Sequence, residues 1–414
     1  MDMNAREDWR ARGTMALPWR VMAAALLALP TLLAACSTQV SARQDQAIVR
    51  EFAAKGYAPA EHYAVTTSAH TWTVSGQAIG FVLAQPARVG STPVVVYLPG
   101  LGETSDSGER WRTAWASAGY AVVSVQLLAD DSDAWKSELA RAGEFKALGR
   151  QRYAGAVMSR RVQLLADFVA EGRRRSLVGE ATWQRLDWNT MAVAGFDLGA
   201  FAAMTVAGEH VRGAEDATGR VAVRAAIALS PYASFAVGSF DTRYRDISAP
   251  VMSVTSDVDG DVLGLVEGAY LRDAPFTQMV GSDKFLLSLQ GLPHARLSGS
   301  ADAKGPRPAD ADSAPRAPGT AGPSSGGDSG QRRKGGSRGS AGDAGSPGRD
   351  RSTSGEGPGA APLSPSALQM RMIAAQDITT AFLDAYLKDD PLAREWLAAG
   401  AARWLGTAGE LHRK

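Results

Sequence analysis

Beyond residue 90 the chain is built from short apolar runs separated by helix-like stretches, and this alternation limits its possible folds more than any other feature. The runs are Val94 to Leu98, Ala121 to Gln126, Met191 to Ala194, Ala225 to Leu229, Val251 to Thr255 and Phe285 to Leu289. Each has strand length, and segments such as Arg161 to Glu171 show helical periodicity between them. Strands alternating with helices imply a largely parallel sheet covered on both faces. Upstream, Thr71 to Ala84 alternates polar and apolar residues around Ser75-Gly76 and reads as a hairpin. The expected class is therefore α/β.

The 414 residues do not all belong to that core. Val21 to Ala35 is an apolar run of about fifteen residues behind Arg20, short for a membrane span but suited to a signal peptide. It ends in Leu33-Ala34-Ala35-Cys36, and Cys36 is the only cysteine of the chain. An internal disulfide and a Cys-rich metal site are thereby excluded. The run resembles the lipobox of bacterial lipoproteins. That resemblance implies removal of residues 1–35, lipidation of Cys36 and anchoring to the membrane. With Ser37 rather than aspartate next, it also implies the outer membrane, facing the periplasm. Residues 36–60 read as a polar tether.

From residue 300 to 366 the composition shifts to Gly, Ser, Pro, Ala, Asp and Arg, without aromatic residues. Such a stretch cannot bury enough apolar surface to offset its ordering entropy, so a disordered insertion is expected. Ile378, Phe382, Leu383, Tyr386 and Leu387 then repeat at helical spacing. The helix they define should return to the sheet. One domain, 61–299 plus 367–408, would thus enclose the insertion. With 44 basic and 43 acidic residues, nothing suggests nucleic acid as a partner. No phosphate-binding loop or metal-ligand spacing stands out, so no cofactor or metal is expected.

Met191 to Thr205 reads MAVAGFDLGAFAAMT, a strand running through Gly195-Phe196-Asp197-Leu198-Gly199 into a helix of small residues. This is the strand–turn–helix context of a G-x-S-x-G nucleophile elbow, with aspartate in the serine position. After the next-to-last core run comes Ser256-Asp257-Val258-Asp259-Gly260-Asp261. After the last comes Gly291-Leu292-Pro293-His294. Nucleophile, acid and histidine thus occur in the order Asp197, Asp259, His294, with Asp257 the runner-up for the acid. The acidic trio does not fit a calcium loop, because its glycine is out of register and position twelve is Gly268. In Val94 to Gly102 (VVVYLPGLG) the backbone N–H of Leu101, with that of Leu198, would face a developing oxyanion. Trp111 and Trp115, four residues apart, read as core packing.

On these motifs, residues 66 to 298 and the final helix through AFLDAYLKDDPLAREWL resemble α/β-hydrolases of the dienelactone hydrolase and platelet-activating-factor acetylhydrolase type. The resemblance implies a mostly parallel sheet, no large cap, and hydrolysis of small or lipid-like esters. Asp197 departs from it. A carboxylate is ionised near neutral pH and can attack a tetrahedral carbon, opening an epoxide or displacing halide to leave an ester on the enzyme. Attack on an ordinary ester would give an anhydride, and the reverse reaction would win. Haloalkane dehalogenases and epoxide hydrolases are similar at the elbow. In this chain, however, Leu198 replaces the halide-donating tryptophan, Pro99-Gly100 replaces His-Gly, and Ser230 to Pro250, about twenty residues, is too short for a helical cap. Tyr232 and Tyr244 are the tyrosines that could serve an epoxide there. Two carboxylates near His294 would also favour imidazolium, which cannot act as a base. Ester-type hydrolysis, aspartyl-ester chemistry and an inactive, ligand-binding envelope domain therefore all stay open.

Overall fold

The computed structural model describes residues 43–300 and 363–414. The expected signal peptide, Cys36 and most of the Gly/Ser/Pro-rich stretch lie outside the described residues. Nine strands form one sheet in the order β1-β2-β4-β3-β5-β6-β7-β8-β9. They are β1 (Val65–Val74), β2 (Gln77–Pro86), β3 (Thr92–Leu98), β4 (Ala121–Val125), β5 (Leu186–Phe196), β6 (Ala225–Leu229), β7 (Val251–Ser256), β8 (Lys284–Leu289) and β9 (Gly409–Arg413). The pairs from β4 through β3, β5, β6 and β7 to β8 are parallel. The edges, β1–β2, β2–β4 and β8–β9, are antiparallel. The protein is an α/β protein with a mostly parallel mixed sheet, as the alternation implied.

Strand alternation divides the core into two layers. Val94, Val96 and Leu98 face one, and Val95 and Tyr97 face the other. Met191 and Val193 are likewise set against Ala192, Ala194 and Phe196. Helices α3 (Gly155–Leu177) and α4 (Leu198–Ala207) cover the first face, whereas α2 (Glu109–Ser117) and α5 (Pro365–Leu387) cover the second. A sheet buried on both faces needs apolar residues on both, which explains strands that are apolar throughout. Trp111 and Trp115 are fully buried in the second layer. The hairpin turns at Ser75 (φ 49°) and Gly76 (φ 76°), both left-handed, as a two-residue turn between strands requires.

Three boundaries differ from the sequence reading. Within the expected tether, residues 43–54 form helix α1. Its Phe52 ring stacks on Trp404 at 4.5 Å, and the Trp404 indole N–H donates to the Phe52 carbonyl at 2.9 Å. An isolated polar helix of this length is marginal in water, so this docking supplies its stability. Helix α5 begins at Pro365 with its N-cap at Ser364, inside the expected insertion. The chain then continues beyond 408 into β9, whose short exposed pattern hides it from a periodicity reading.

Asp384 of α5 ties the chain just after α1 to the residue before β4. Its buried carboxylate accepts from Tyr57 (2.8 Å) and Tyr120 (2.6 Å) and pairs with Lys388 at 2.6 Å. Asp384→Ala would strand two phenols and an ammonium. We expect it to cost about 3 kcal/mol in urea denaturation and to speed proteolysis within 43–60. A loss below about 1 kcal/mol would contradict this role.

Candidate active site

The Asp197 bend is enforced by packing. Asp197 has φ 52° and ψ −107°, a conformation that costs a non-glycine residue on the order of 1–3 kcal/mol. Any Cβ on Gly195 would strike the Gly199 backbone, and one on Gly199 would strike the Leu98 carbonyl on β3. The two glycines therefore let α4 press against β5 and β3 while the residue between them stands at the turn. The Asp197 N–H donates to the Leu229 carbonyl at 2.9 Å, and its own carbonyl accepts from the Phe201 N–H at 3.0 Å.

The other expected residues gather at the same end of the sheet. His294 Nδ1 lies 2.7 Å from Asp259 Oδ1. Asp259 also accepts from Thr255 Oγ1 (2.8 Å) and Ser230 Oγ (2.9 Å), and is fully buried. Asp257 does not reach the imidazole; it accepts the Gly291 N–H at 2.6 Å and so holds the loop that carries His294. Of the two acids, Asp259 is the one set against His294. Of the β3 loop amides, Gly100 N–H donates to Glu103 Oε2 (2.9 Å) and Gly102 N–H to the Asp131 carbonyl (2.7 Å). Those of Leu101 and Leu198 find no acceptor among the described residues.

Four neighbours escaped the sequence reading. Ser230, left-handed at φ 59°, lies 3.0 Å from His294 Nδ1 as well as bonding Asp259. Arg272 is buried. Its Nε donates to the Asp259 carbonyl (2.9 Å) and lies 3.3 Å from Asp259 Oδ1, its Nη1 reaches the Ser230 and Pro231 carbonyls, and its Nη2 has no partner among the described residues. Tyr153 is buried with its hydroxyl towards Asp197, but no hydrogen bond of standard geometry forms. Its ring packs on Tyr232 (4.6 Å) and Phe201 (6.1 Å). Glu103 follows the glycines of the β3 loop, with Ser300 Oγ 3.3 Å from its Oε1. Tyr244, by contrast, is turned into the core, its hydroxyl 3.4 Å from the Tyr232 carbonyl.

Electrostatics separates the carboxyls. Burial pushes Asp197 up from the usual carboxylate range; His294 opposes this and Asp261 adds to it, while Arg272 draws it down. Burial also drives Glu103 up, to about 7, against hydrogen bonds from Gly100 and Ser300. For Asp259, burial acts in the same direction but Arg272 and the His294 hydrogen bond overcome it, so its pKa is lowered. Burial alone would lower His294; the hydrogen bond and charge of Asp259 reverse this and raise it. The pair is an ionised acid holding an imidazole readily protonated on its other nitrogen. Among the described residues no group of three or more His, Cys, Asp or Glu is arranged to hold a metal ion.

Comparison with family models and with curated proteins finds no match to this chain. The class that the fold defines is an α/β protein with a mostly parallel sheet, and its candidate site lies at the carboxyl ends of β3, β5, β6, β7 and β8.

Removing the Asp259 charge should let burial dominate His294. In Asp259→Asn the imidazole midpoint, followed by NMR of the His294 ring proton, should fall below that of the wild type. In Asp257→Asn it should stay near the wild-type value. The opposite pattern would reassign the acid.

Proposed function

We propose that the chain is a membrane-anchored α/β-hydrolase acting on small or lipid-like substrates, with Asp197 as nucleophile and His294, oriented by Asp259, as general base. The observation that carries this reading is the positive-φ bend at Asp197 between two glycines that tolerate no Cβ, near enough for its charge to act on a histidine already bonded to a buried acid. A surface turn would have no reason to retain that strain. Asp197 has no hydrogen bond to His294, which suits a nucleophile that needs no deprotonation.

In this reading the Asp197 carboxylate attacks a tetrahedral carbon and forms an alkyl ester. His294, neutral at that moment, removes a proton from water. The hydroxide attacks the Asp197 acyl carbon, and the amides of Leu101 and Leu198 stabilise the resulting oxyanion. The acid, Asp259, stays ionised throughout and fixes the imidazole ring. Ester-type hydrolysis, which the resemblance implies, needs a serine hydroxyl where the carboxylate stands. A second reading, a site that binds without turnover, draws on the raised His294 pKa, since an imidazolium cannot act as base.

Turnover in oxygen-18 water discriminates. Asp197 should gain label over repeated cycles, and Asp197→Asn should lose at least about 100-fold in rate. Asp197→Ser should gain activity on small aryl esters. Full activity in Asp197→Asn would refute the nucleophile role, and absence of turnover on ester, epoxide and haloalkane panels would favour the binding reading.

The envelope location rests on Arg20, the apolar run to Ala35, and Cys36. No helix among the described residues is long and apolar enough to cross a membrane. In a bacterial host, wild-type chain should incorporate labelled fatty acid and fractionate with membranes, whereas Cys36→Ser should do neither. Incorporation in Cys36→Ser would refute the anchor.

A further inference from the structure

Glu103 has no part in the chemistry described so far, yet it is built into the site. Its Oε2 is held by the Gly100 N–H at 2.9 Å, and Ser300 Oγ lies 3.3 Å from its Oε1. It shares the β3 loop with the free Leu101 amide. Phe196, the residue before the nucleophile, packs where a Gly100 Cβ would lie, close to Glu103 Oε2, and its ring sits 4.9 Å from that of His294. Asp197 and His294 lie near enough for their charges to act on Glu103, as does Tyr97, whose hydroxyl donates to the Ser298 carbonyl at 3.0 Å and which also feels the charge of Arg112.

We propose that Glu103 is the proton donor to the leaving oxygen, and that the site therefore takes strained cyclic ethers (epoxides) in preference to alkyl halides. This rests on the reading of Asp197 as nucleophile. Asp197 and Glu103 repel one another when both are ionised, so one proton is favoured on the pair. Asp197 has Arg272 and His294 to offset its charge. Glu103 has one amide, one hydroxyl and a more distant imidazole, so the proton resides on Glu103. A group titrating near 7 is matched to donation at neutral pH. Tyr153, the phenol nearest Asp197, is pushed far above its ordinary value by burial and is the poorer acid. An opening epoxide leaves an alkoxide that must take a proton, whereas a departing halide needs none, so a protonated Glu103 serves the first and adds little to the second.

The steps balance. An Asp197 oxygen bonds to a ring carbon, that carbon's bond to the ring oxygen breaks, and the oxygen takes the Glu103 proton. Water then adds hydroxide to the Asp197 acyl carbon and a proton to His294. The acyl–oxygen bond to the alkyl group breaks, and the departing oxygen takes the proton from His294. The new Asp197 acid returns its proton to Glu103. The sum is epoxide plus water to diol.

The test uses the full chain carrying His294→Ala, which stalls the ester, with styrene oxide and bromohexane as probes. Adduct on Asp197 is followed by mass spectrometry against time and pH. Styrene oxide should label Asp197 at a rate that falls as pH rises through about 7 or, with the imidazolium gone, somewhat higher. Adding Glu103→Gln should slow labelling on the order of 100-fold and abolish that fall, while Glu103→Asp should restore part of both. Labelling by bromohexane should be slower and insensitive to Glu103. Unchanged rate and pH profile in Glu103→Gln would overturn the proposal and leave Asp197 as nucleophile. Faster labelling by bromohexane would overturn the substrate class. No adduct at Asp197 from either probe would overturn this proposal and the nucleophile reading together.

Discussion

The site depends on one steric constraint, the close approach of α4 to β3. With no side chain at Gly199, the helix backbone reaches the Leu98 carbonyl, and with none at Gly195 the strand accepts the helix start. Residue 197 is then the only place where the chain can reverse, and it does so at positive φ. The β3–β5 pairing fixes the relative height of Leu98 and Gly195, so the loop carrying Leu101 and Glu103 rises beside the bend. A small shift in this contact would move Asp197 and the free amides together. The cost of the strained residue is borne by a helix buried along its whole length.

A second constraint, on the other side of Asp197, organises His294. Asp259 gathers hydrogen bonds from Thr255, Ser230 and His294, while Arg272 grips its carbonyl and those of Ser230 and Pro231. Three loops, after β6, β7 and β8, are thus bound to one carboxylate and one guanidinium. A buried carboxylate with this many donors stays charged, which keeps the imidazole ring in one orientation. Asp257 is one turn of chain away but serves the loop that delivers the histidine, so the two neighbouring acids have separate tasks.

The strands were legible because burial on both faces demands apolar residues at every position, and five or six of these in a row are hard to mistake. The bend was legible because close backbone approach admits only glycine. Glu103, Ser230, Arg272 and Tyr153 were not, for physical reasons. Each meets the site through tertiary packing, with no spacing to Asp197 or His294 that chain geometry dictates. Arg272 comes from a short helical turn beyond β7 and Tyr153 from the approach to α3, far from the motif in sequence. A glutamate directly after Pro-Gly-Leu-Gly was the one available signal for Glu103, since an acid in a βα loop can accept that loop's own amides. Helix α1 was hidden because its polar composition matches a tether; the contacts of Phe52 with Trp404 make it structure.

An aspartate in place of a neutral hydroxyl would ordinarily be a liability at the foot of such a bend. It adds a negative charge where solvent is scarce and sits beside a histidine that must lose its proton to act. Burial outweighs the neighbouring positive groups and raises the Asp197 pKa, but His294 and Arg272 draw it back down. Arg272 is buried with one nitrogen unpaired, and its field lowers the pKa of Asp197, Asp259 and His294 alike. For the two acids this favours the carboxylate, and for the histidine the neutral base. A guanidinium so placed therefore pushes all three residues towards the protonation states that nucleophilic attack and base catalysis require. Asp259 acts oppositely on His294, so the balance between Arg272 and Asp259 sets how much neutral imidazole is present at a given pH. The direct partners of Arg272 are the Asp259 carboxylate, 3.3 Å from its Nε, and the carbonyls of Asp259, Ser230 and Pro231, so its burial first of all holds these loops together, and its longer-range charge on Asp197 is what the proposed nucleophile would draw on.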